Sequence, residues 1–245
     1  MKFPDQGELF RAKKKKHKAL IFFVHFYHGD KKALLRHIRF VNQLGYDAYG
    51  FNLRDQMKDH YMVPYSTISK KFGMKHALAD QIEEHLDLLS NYESKIMFAF
   101  SNVAACAIEA MARRPDIYFD GLICDSGPAL TFLKSAFKLL TFAEPIPFLP
   151  FRLIATPLFS VAWSKDFHAD VPLDLQKFRS GFPVLSIRGW KDKLMAPTDI
   201  DKIFEPCKNL VWQKLSLPEA EHLTGLRDFP DEYKPAVEDF LNQIS

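Results

Sequence analysis

Glycine is scarce in this sequence, at only 10 of its 245 residues. Neither glycine-rich phosphate-binding pattern, G-x-x-x-x-G-K-[ST] or G-x-G-x-x-G, occurs in the chain. The usual fingerprints of a P-loop protein and of a dinucleotide-binding domain are therefore absent.

Cysteine is also rare, and Cys106, Cys124 and Cys207 are scattered along the chain. Their odd number and their spacing fit neither a disulfide framework nor a C-x2-C zinc site. Two of them fall inside predicted core elements, as expected for reduced, buried thiols. We therefore expect a cytoplasmic protein.

The chain also has little excess of one charge sign, because its 33 Lys and Arg residues nearly balance 30 Asp and Glu residues and leave a formal net charge of only +3. This balance gives no reason to expect a nucleic-acid partner. The first residues, MKFPDQGELFRAKKKK, lack the apolar core and the cleavage site of an export signal. The basic cluster at 13–16 is interpreted as a solvated approach to the first core strand, with contact to an anionic membrane surface as the alternative.

Apolar strand-like runs alternate with helical patterns along most of the chain. A continuous apolar run, typical of a strand covered on both faces, occurs at 19–26, and further strand-like runs occur at 46–53, 95–100, 121–125, 183–187 and 209–215. Between most of these runs lie segments whose apolar residues follow helical spacing, and Gly45 marks the end of the first predicted helix. This alternation predicts an α/β fold with a mostly parallel sheet flanked by helices.

One long segment interrupts the alternation. Residues 126–182 contain no convincing core strand and are rich in proline and aromatic residues. Because Pro145, Pro147, Pro150 and Pro157 interrupt its apolar stretch, we predict no transmembrane segment there. We predict a core formed by residues 1–125 and 183–245, with 126–182 inserted as a helical cap over the sheet edge where ligands bind.

Three side chains at predicted strand ends suggest nucleophilic catalysis. Ser101 lies between the KIMFAF strand and a helix, and Asp192 and His222 follow the next two strands. Serine needs a base to remove its proton and benefits from an acid that orients that base. Alone, Ser101 could be a helix N-cap, Asp192 a turn residue and His222 a structural histidine. Their shared placement and order favour a catalytic triad.

The chain resembles the α/β-hydrolase superfamily, of the serine esterase and lipase type, from about Lys18 to its end. The resemblance lies in the segments VHFYHGDKKALLRHIRFVNQLGYDAYGFNLRDQ, FAFSNVAACAIEA, IRGWKDKLMAP and EAEHLTGLRDFPDEYKPAVEDFL. It implies an α/β-hydrolase fold with the cap inserted after the sixth family strand.

The resemblance also assigns roles to individual residues. It makes Ser101 the nucleophile, His222 the general base and acid, and Asp192 the orienting carboxylate. It further implies that the backbone N–H groups of Asn102 and Tyr27 bind the oxyanion, with His25 in the family's His-Gly oxyanion motif. Asp125 is the competing candidate for the acid, since some members of this fold place it on that strand.

Two motifs depart from the family pattern, at three positions. The elbow reads Ala99-Phe100-Ser101-Asn102-Val103 instead of G-x-S-x-G, and Phe26 replaces the glycine after His25. Because Val103 is bulky, we expect the following helix to lie slightly farther from the strand. Phe26 either crowds the oxyanion loop or lines the acyl pocket.

The predicted function is hydrolysis of a carboxylic ester or thioester of a hydrophobic acyl substrate through an acyl-enzyme, with no cofactor and no metal. His25 and His28 could ligate a metal, but no third ligand has suitable spacing. Phenylalanines of the cap segment suit a lipophilic small-molecule substrate or simply bury the cap on the core: Phe132, Phe137, Phe142, Phe148, Phe151, Phe159 and Phe167. The alternative is a catalytically silent protein of this fold that binds a lipophilic ligand or a protein partner. The sequence does not define the oligomeric state.

Overall fold

The computed structural model describes residues 6–54 and 64–244. The ends of the predicted core, at 1–5 and 245, lie outside the described residues, as do Asp55 and Gln56 of the first resemblance segment.

A seven-stranded sheet forms the centre of the described chain, in the order β1-β3-β2-β4-β5-β6-β7. Its strands are β1 (Gly7–Phe10), β2 (Leu20–Val24), β3 (Asp47–Phe51), β4 (Lys95–Phe100), β5 (Phe119–Asp125), β6 (Phe182–Gly189) and β7 (Leu210–Leu217). β1 is antiparallel to β3, and all other neighbours are parallel. The mostly parallel sheet predicted from the sequence is confirmed.

Helices cover both faces of the sheet. They are α1 (Leu35–Leu44), α2 (Met74–Asp87), α3 (Ala104–Arg113), α4 (Phe132–Lys138), α5 (Leu149–Ser164), α6 (Phe167–Gln176), α7 (Pro197–Phe204), α8 (Gly225–Asp228) and α9 (Pro230–Ile244). Short 3-10 turns span Lys31–Leu34 and Ser101–Val103, and a π-helical turn spans Leu139–Ala143. Gly45 ends α1 at φ +104°, the left-handed conformation that glycine adopts readily.

Two apolar clusters, one on each face, form the core. The side chains of β2 alternate between them: Leu20, Phe22 and Val24 pack with α2, α3 and α6, whereas Ile21 and Phe23 pack with α1 and α9. This alternation explains why β2 is apolar at every position, because its side chains are buried on both faces of the sheet.

Segment 126–182 contains α4, the π-helical turn, α5 and α6. Its last helix packs on α3, and Phe167, Val171 and Leu175 belong to the same apolar cluster as β2. The outer face of α4, α5 and their connection is different, because large apolar side chains there are half or more exposed: Leu133, Phe142, Phe148, Leu149, Phe151, Leu153, Ile154, Leu158 and Val161. The division into core and cap stays a prediction.

Buried charges connect α6 to the core helices. Lys75 Nζ lies 2.6 Å from Glu109 Oε2 and 3.3 Å from Asp174 Oδ2. His76 Nδ1 lies 2.7 Å from Glu109 Oε1, and its Nε2 lies 3.4 Å from Asp170 Oδ2. Because these groups are nearly inaccessible to water, each depends on its partners to offset the free-energy cost of removing its charge from water.

The N-terminal basic cluster contacts the amino edge of the sheet. Lys15 Nζ pairs with Asp47 Oδ2 at 2.9 Å and lies over the Tyr92 ring. Asp47 also accepts hydrogen bonds from the Ala12 N–H and the Tyr92 hydroxyl. At least Lys15 of the basic cluster is thus ion-paired with a strand of the sheet. No helix among residues 6–54 and 64–244 is long and apolar enough to span a membrane.

Candidate active site

Ser101 occupies a sharp turn between β4 and the helix that follows. Its φ is +56°, a conformation that is uncommon and strained for a residue with a Cβ. The N-cap of the following 3-10 turn is Phe100, which has extended φ and ψ. Ser101 is therefore not the N-cap. Because strained backbone conformations are common at functional sites, the turn supports a functional role for the Ser101 hydroxyl.

His222 lies within hydrogen-bonding distance of both other residues expected to form a triad. Ser101 Oγ is 3.1 Å from His222 Nε2, and His222 Nδ1 is 2.6 Å from Asp192 Oδ2. The other carboxylate oxygen of Asp192 accepts hydrogen bonds from the backbone N–H groups of Leu194 and Met195, at 2.7 and 2.8 Å. With the Nδ1 proton donated to Asp192, Nε2 is free to accept the Ser101 proton.

Asp125 lies in a separate hydrogen-bond network. Its carboxylate accepts hydrogen bonds from the Tyr233 hydroxyl at 2.6 Å and from Ser126 Oγ at 2.8 Å. Ser126 Oγ in turn accepts the Leu223 backbone N–H at 3.1 Å, so this network supports the loop that holds His222. Burial raises the pKa of Asp125, although the two hydrogen bonds act in the opposite direction. His222 Nδ1–H donates its hydrogen bond to Asp192 and not to Asp125.

His25 fixes the loop that carries the second expected oxyanion donor. Its Nε2 accepts the Leu53 backbone N–H at 2.9 Å, which leaves Nδ1–H to donate to the Phe26 carbonyl at 2.7 Å. Burial lowers the pKa of His25, consistent with a neutral ring. Both ring nitrogens are thus used within the protein, which argues against His25 as a metal ligand. Among the residues that the structure describes, no group of three or more His, Cys, Asp or Glu side chains could hold a metal.

Asn102 and Tyr27 line the same cavity as Ser101, and this cavity is described below. Asn102 lies in the first turn of a helix, where backbone N–H groups have no partner within the helix. Its side-chain oxygen accepts the Ala129 N–H at 3.1 Å, which fixes the residue against the loop after β5. The Tyr27 ring packs edge-on against Trp163, with centroids 5.5 Å apart. Their role as oxyanion donors stays a prediction.

Val103 of the elbow and Phe26 of the predicted oxyanion loop have different surroundings. Val103 is fully buried in the core, while Phe26 lines the cavity that contains Ser101. The loop after β5 approaches the elbow closely at Gly127, where a Cβ would lie 2.6 Å from the carbonyl carbon of Ser101. A glycine outside the linear elbow motif thus permits this close approach, and only the three-dimensional pairing of β4 with β5 reveals it.

A cavity of about 590 Å³ contains Ser101 and His222 in its wall. Its wall is mainly apolar on the side of the predicted cap, where Phe132, Phe159 and Trp163 pack together. The Trp163 indole N–H is buried and has no hydrogen-bond partner among the described residues.

The predicted phenylalanine cluster divides into three environments. Phe132 and Phe159 line the cavity, Phe167 is buried behind Phe132, and Phe142, Phe148 and Phe151 are exposed. Phe137 is half-buried, and the two interpretations of these residues, substrate contact and packing of the cap on the core, both stay predictions.

His37 also lines the cavity and was not identified from the sequence. Neither of its ring nitrogens has a hydrogen-bond partner among the described residues, and Nε2 lies 3.9 Å from Asp125 Oδ2. Burial, with a smaller contribution from the neighbouring Arg36 charge, lowers the pKa of His37 to about 3. The cavity therefore has a neutral imidazole in its wall near Ser101.

Neither a family model nor a curated protein matches the chain by sequence. Its structure is similar to an esterase from Pyrococcus furiosus, with a TM-score of 0.70, 17% identity and coverage of 97% of this chain and 85% of that one. It is also similar to an alpha/beta hydrolase enzyme from a sediment metagenome of the Mar Chica lagoon (TM-score 0.65, 15% identity, 99% and 97% covered). A monoacylglycerol lipase from Paleococcus ferrophilus gives a TM-score of 0.63, 16% identity and 98% coverage of each chain. These likenesses show that the chain has an α/β-hydrolase fold, as expected from the sequence.

Proposed function

We propose that this protein is a serine hydrolase that cleaves carboxylic esters or thioesters of hydrophobic acyl groups. The observation that carries the proposal is the continuous hydrogen-bond relay from Ser101 through His222 to Asp192 at the wall of an apolar cavity. The esterase and lipase descriptions of similar structures support ester hydrolysis in general.

Acyl transfer to the serine begins the proposed reaction. The Ser101 oxygen attacks the substrate carbonyl carbon as His222 Nε2 takes the hydroxyl proton. The carbonyl electron pair moves to oxygen, and the backbone N–H groups of Asn102 and Tyr27 stabilise that negative charge. Loss of one such donor typically costs about 10²–10³ in rate. His222 then protonates the leaving oxygen or sulfur as its bond to carbon breaks.

Hydrolysis of the acyl-enzyme repeats these steps with water as the nucleophile. His222 takes a proton from water, the hydroxyl adds to the acyl carbon, and Ser101 leaves with the proton returned from Nε2. Asp192 keeps the imidazole in the required tautomer and stabilises its cationic form. The protein groups in this scheme suffice without a cofactor or metal.

The lipophilic substrate is inferred from the walls of the cavity. Aromatic residues of the predicted cap face the nucleophile, and the volume of about 590 Å³ lies within the range of small-molecule sites. The expected location is the cytoplasm, since all three cysteines are buried free thiols, which fits a reducing compartment.

The proposal is tested by treating the purified protein with a fluorophosphonate and mapping the modified residue by mass spectrometry. We expect a stoichiometric adduct on Ser101 that is lost in Ser101→Ala and strongly slowed in His222→Ala. Both variants should still unfold in one cooperative thermal transition, so that loss of the adduct is not loss of the fold. A well-folded wild-type protein that forms no adduct and cleaves no ester would refute the hydrolase and favour the catalytically silent alternative.

A further inference from the structure

A second concave surface, the cationic groove, lies between α1 and α9. It has a volume of about 560 Å³, and the charged residues in its wall are Lys32, Arg36, Arg39, Arg227 and Lys234. Lys32, Arg36 and Arg39 follow helical spacing on one side, while Arg227 and Lys234 lie on the opposite side. No acidic residue belongs to this wall.

The charge of the groove is large for this protein. Five cations line it, whereas the whole chain has a formal net charge of +3. Arg227 pairs with the neighbouring Asp228 at 2.7 Å, and the charge of Asp228 also acts on Arg36, so part of the positive charge is compensated. Across 6–54 and 64–244, no ion pair involves Lys32, Arg36, Arg39 or Lys234. Like charges that face each other repel, and a bound anion removes that cost.

The groove adjoins the catalytic cavity. Ala33, Arg36 and Arg227 belong to the walls of both, so the two spaces meet at these residues. The unpartnered imidazole of His37 lies beside Arg36 on the catalytic side. α1 and α9 follow strands β2 and β7, so the groove begins at the carboxyl edge of the sheet, where Ser101 lies.

We infer that the cationic groove binds a phosphate group on the leaving portion of the substrate. This inference rests on the proposed function and adds a substrate class to it: the apolar cavity holds the acyl chain, and the groove holds a phosphate-bearing alcohol or thiol. The phosphate can belong to a soluble carrier or to a lipid glycerophosphate, since both present the same anion to these side chains.

The test compares substrates that differ in phosphate but share the acyl bond. One pair is hexanoyl-coenzyme A and hexanoyl-N-acetylcysteamine, which are both thioesters. The other is decanoylglycerol 3-phosphate and decanoylglycerol, which are both esters. For each pair, the measured quantity is the ratio of kcat/KM for the phosphate-bearing substrate to kcat/KM for the neutral one. This ratio cancels changes in the amount of folded enzyme.

We expect the ratio to exceed about 10 in at least one pair at low salt, within the range found for charged clefts, and to decrease as salt increases. It should fall about tenfold in the double variant Arg39→Glu/Lys234→Glu. The matched control is Lys14→Glu/Lys208→Glu, which changes the net charge equally with exposed lysines that precede β2 and β7 at the opposite edge. The control should keep the wild-type ratio.

Preference in the thioester pair alone assigns the groove to a soluble carrier, and preference in the ester pair alone assigns it to a lipid. Turnover of the neutral substrates with a ratio near one in both pairs would overturn the proposed phosphate binding in the groove, but not the proposed hydrolase function. A preference that survives in Arg39→Glu/Lys234→Glu would also overturn it. No turnover of any substrate, together with no fluorophosphonate adduct at Ser101, would remove the proposed function and this inference with it.

Discussion

Gly127 provides a direct test of how the nucleophile is positioned. An alanine Cβ at this position would lie 2.6 Å from the carbonyl carbon and oxygen of Ser101 and 2.9 Å from its Cα. Ordinary contacts of this kind begin near 3.4 Å, so the two backbones must separate by about 0.8 Å. The Ser101–His222 contact of 3.1 Å would then exceed hydrogen-bonding distance.

We expect Gly127→Ala to lower kcat/KM by about 10²-fold, because misplacement of a reacting group by about 1 Å has effects of this size. The strain should also lower the free energy of unfolding by about 1–3 kcal/mol. The assays are ester hydrolysis normalised to the folded fraction, the rate of fluorophosphonate labelling, and unfolding in urea.

The matched control is Gly50→Ala in β3. Its Cβ would meet only ordinary contacts, the nearest being Ile38 Cδ1 at 3.4 Å, so activity should remain close to wild type. If Gly127→Ala were labelled and turned over as fast as Gly50→Ala, the close approach of this loop would not determine the position of Ser101.

Two other predictions concern carboxylates. Asp192→Asn should lower kcat by about 10⁴-fold, as expected when the imidazole loses its orienting acid. Asp125→Asn should keep most of the activity, because the hydrogen bonds of Asp125 go to Tyr233 and Ser126 and not to His222. The reverse order of the two kcat values would assign the acid to Asp125. Burial would raise the pKa of Glu109, but the His76 hydrogen bond and its cationic partners hold it at about 2 instead of 4.5. The stability from this group is therefore complete above its unfolded pKa and is lost as pH falls toward 2. Urea unfolding from about pH 6 to about pH 2 should show a loss of about 3 kcal/mol that is missing in Glu109→Gln. Equal acid sensitivity of the two proteins would contradict this.

The central strands β2 and β4 were predictable because they are buried on both faces and consist almost entirely of apolar residues. The segment KIMFAF corresponds to β4 residue for residue, and the end of α1 follows from Gly45. β1 was not predicted, because its four residues are only partly buried. Its strand conformation depends on antiparallel pairing with β3, which is distant along the chain.

The order of Ser101, Asp192 and His222 at strand ends was visible in the sequence, since adjacent parallel strands bring their carboxyl ends together. The close approach of Gly127 was not, because it depends on which strands are neighbours. The cationic groove was missed for the same reason. Its two sides are separated by most of the chain, and they meet only because β2 and β7 support helices on one face of the sheet.

The buried charges between α2, α3 and α6 have a consequence for protein engineering. Segment 126–182 is not a portable module, because its last helix supplies Asp170 and Asp174 to His76 and Lys75 and also contributes apolar side chains to the central core. A chimera that takes this segment from another protein of this fold would have to bring a compatible α2 with it. An exchange limited to α4 and α5 would alter the aromatic wall of the cavity that contains Ser101 and leave this ionic junction in place.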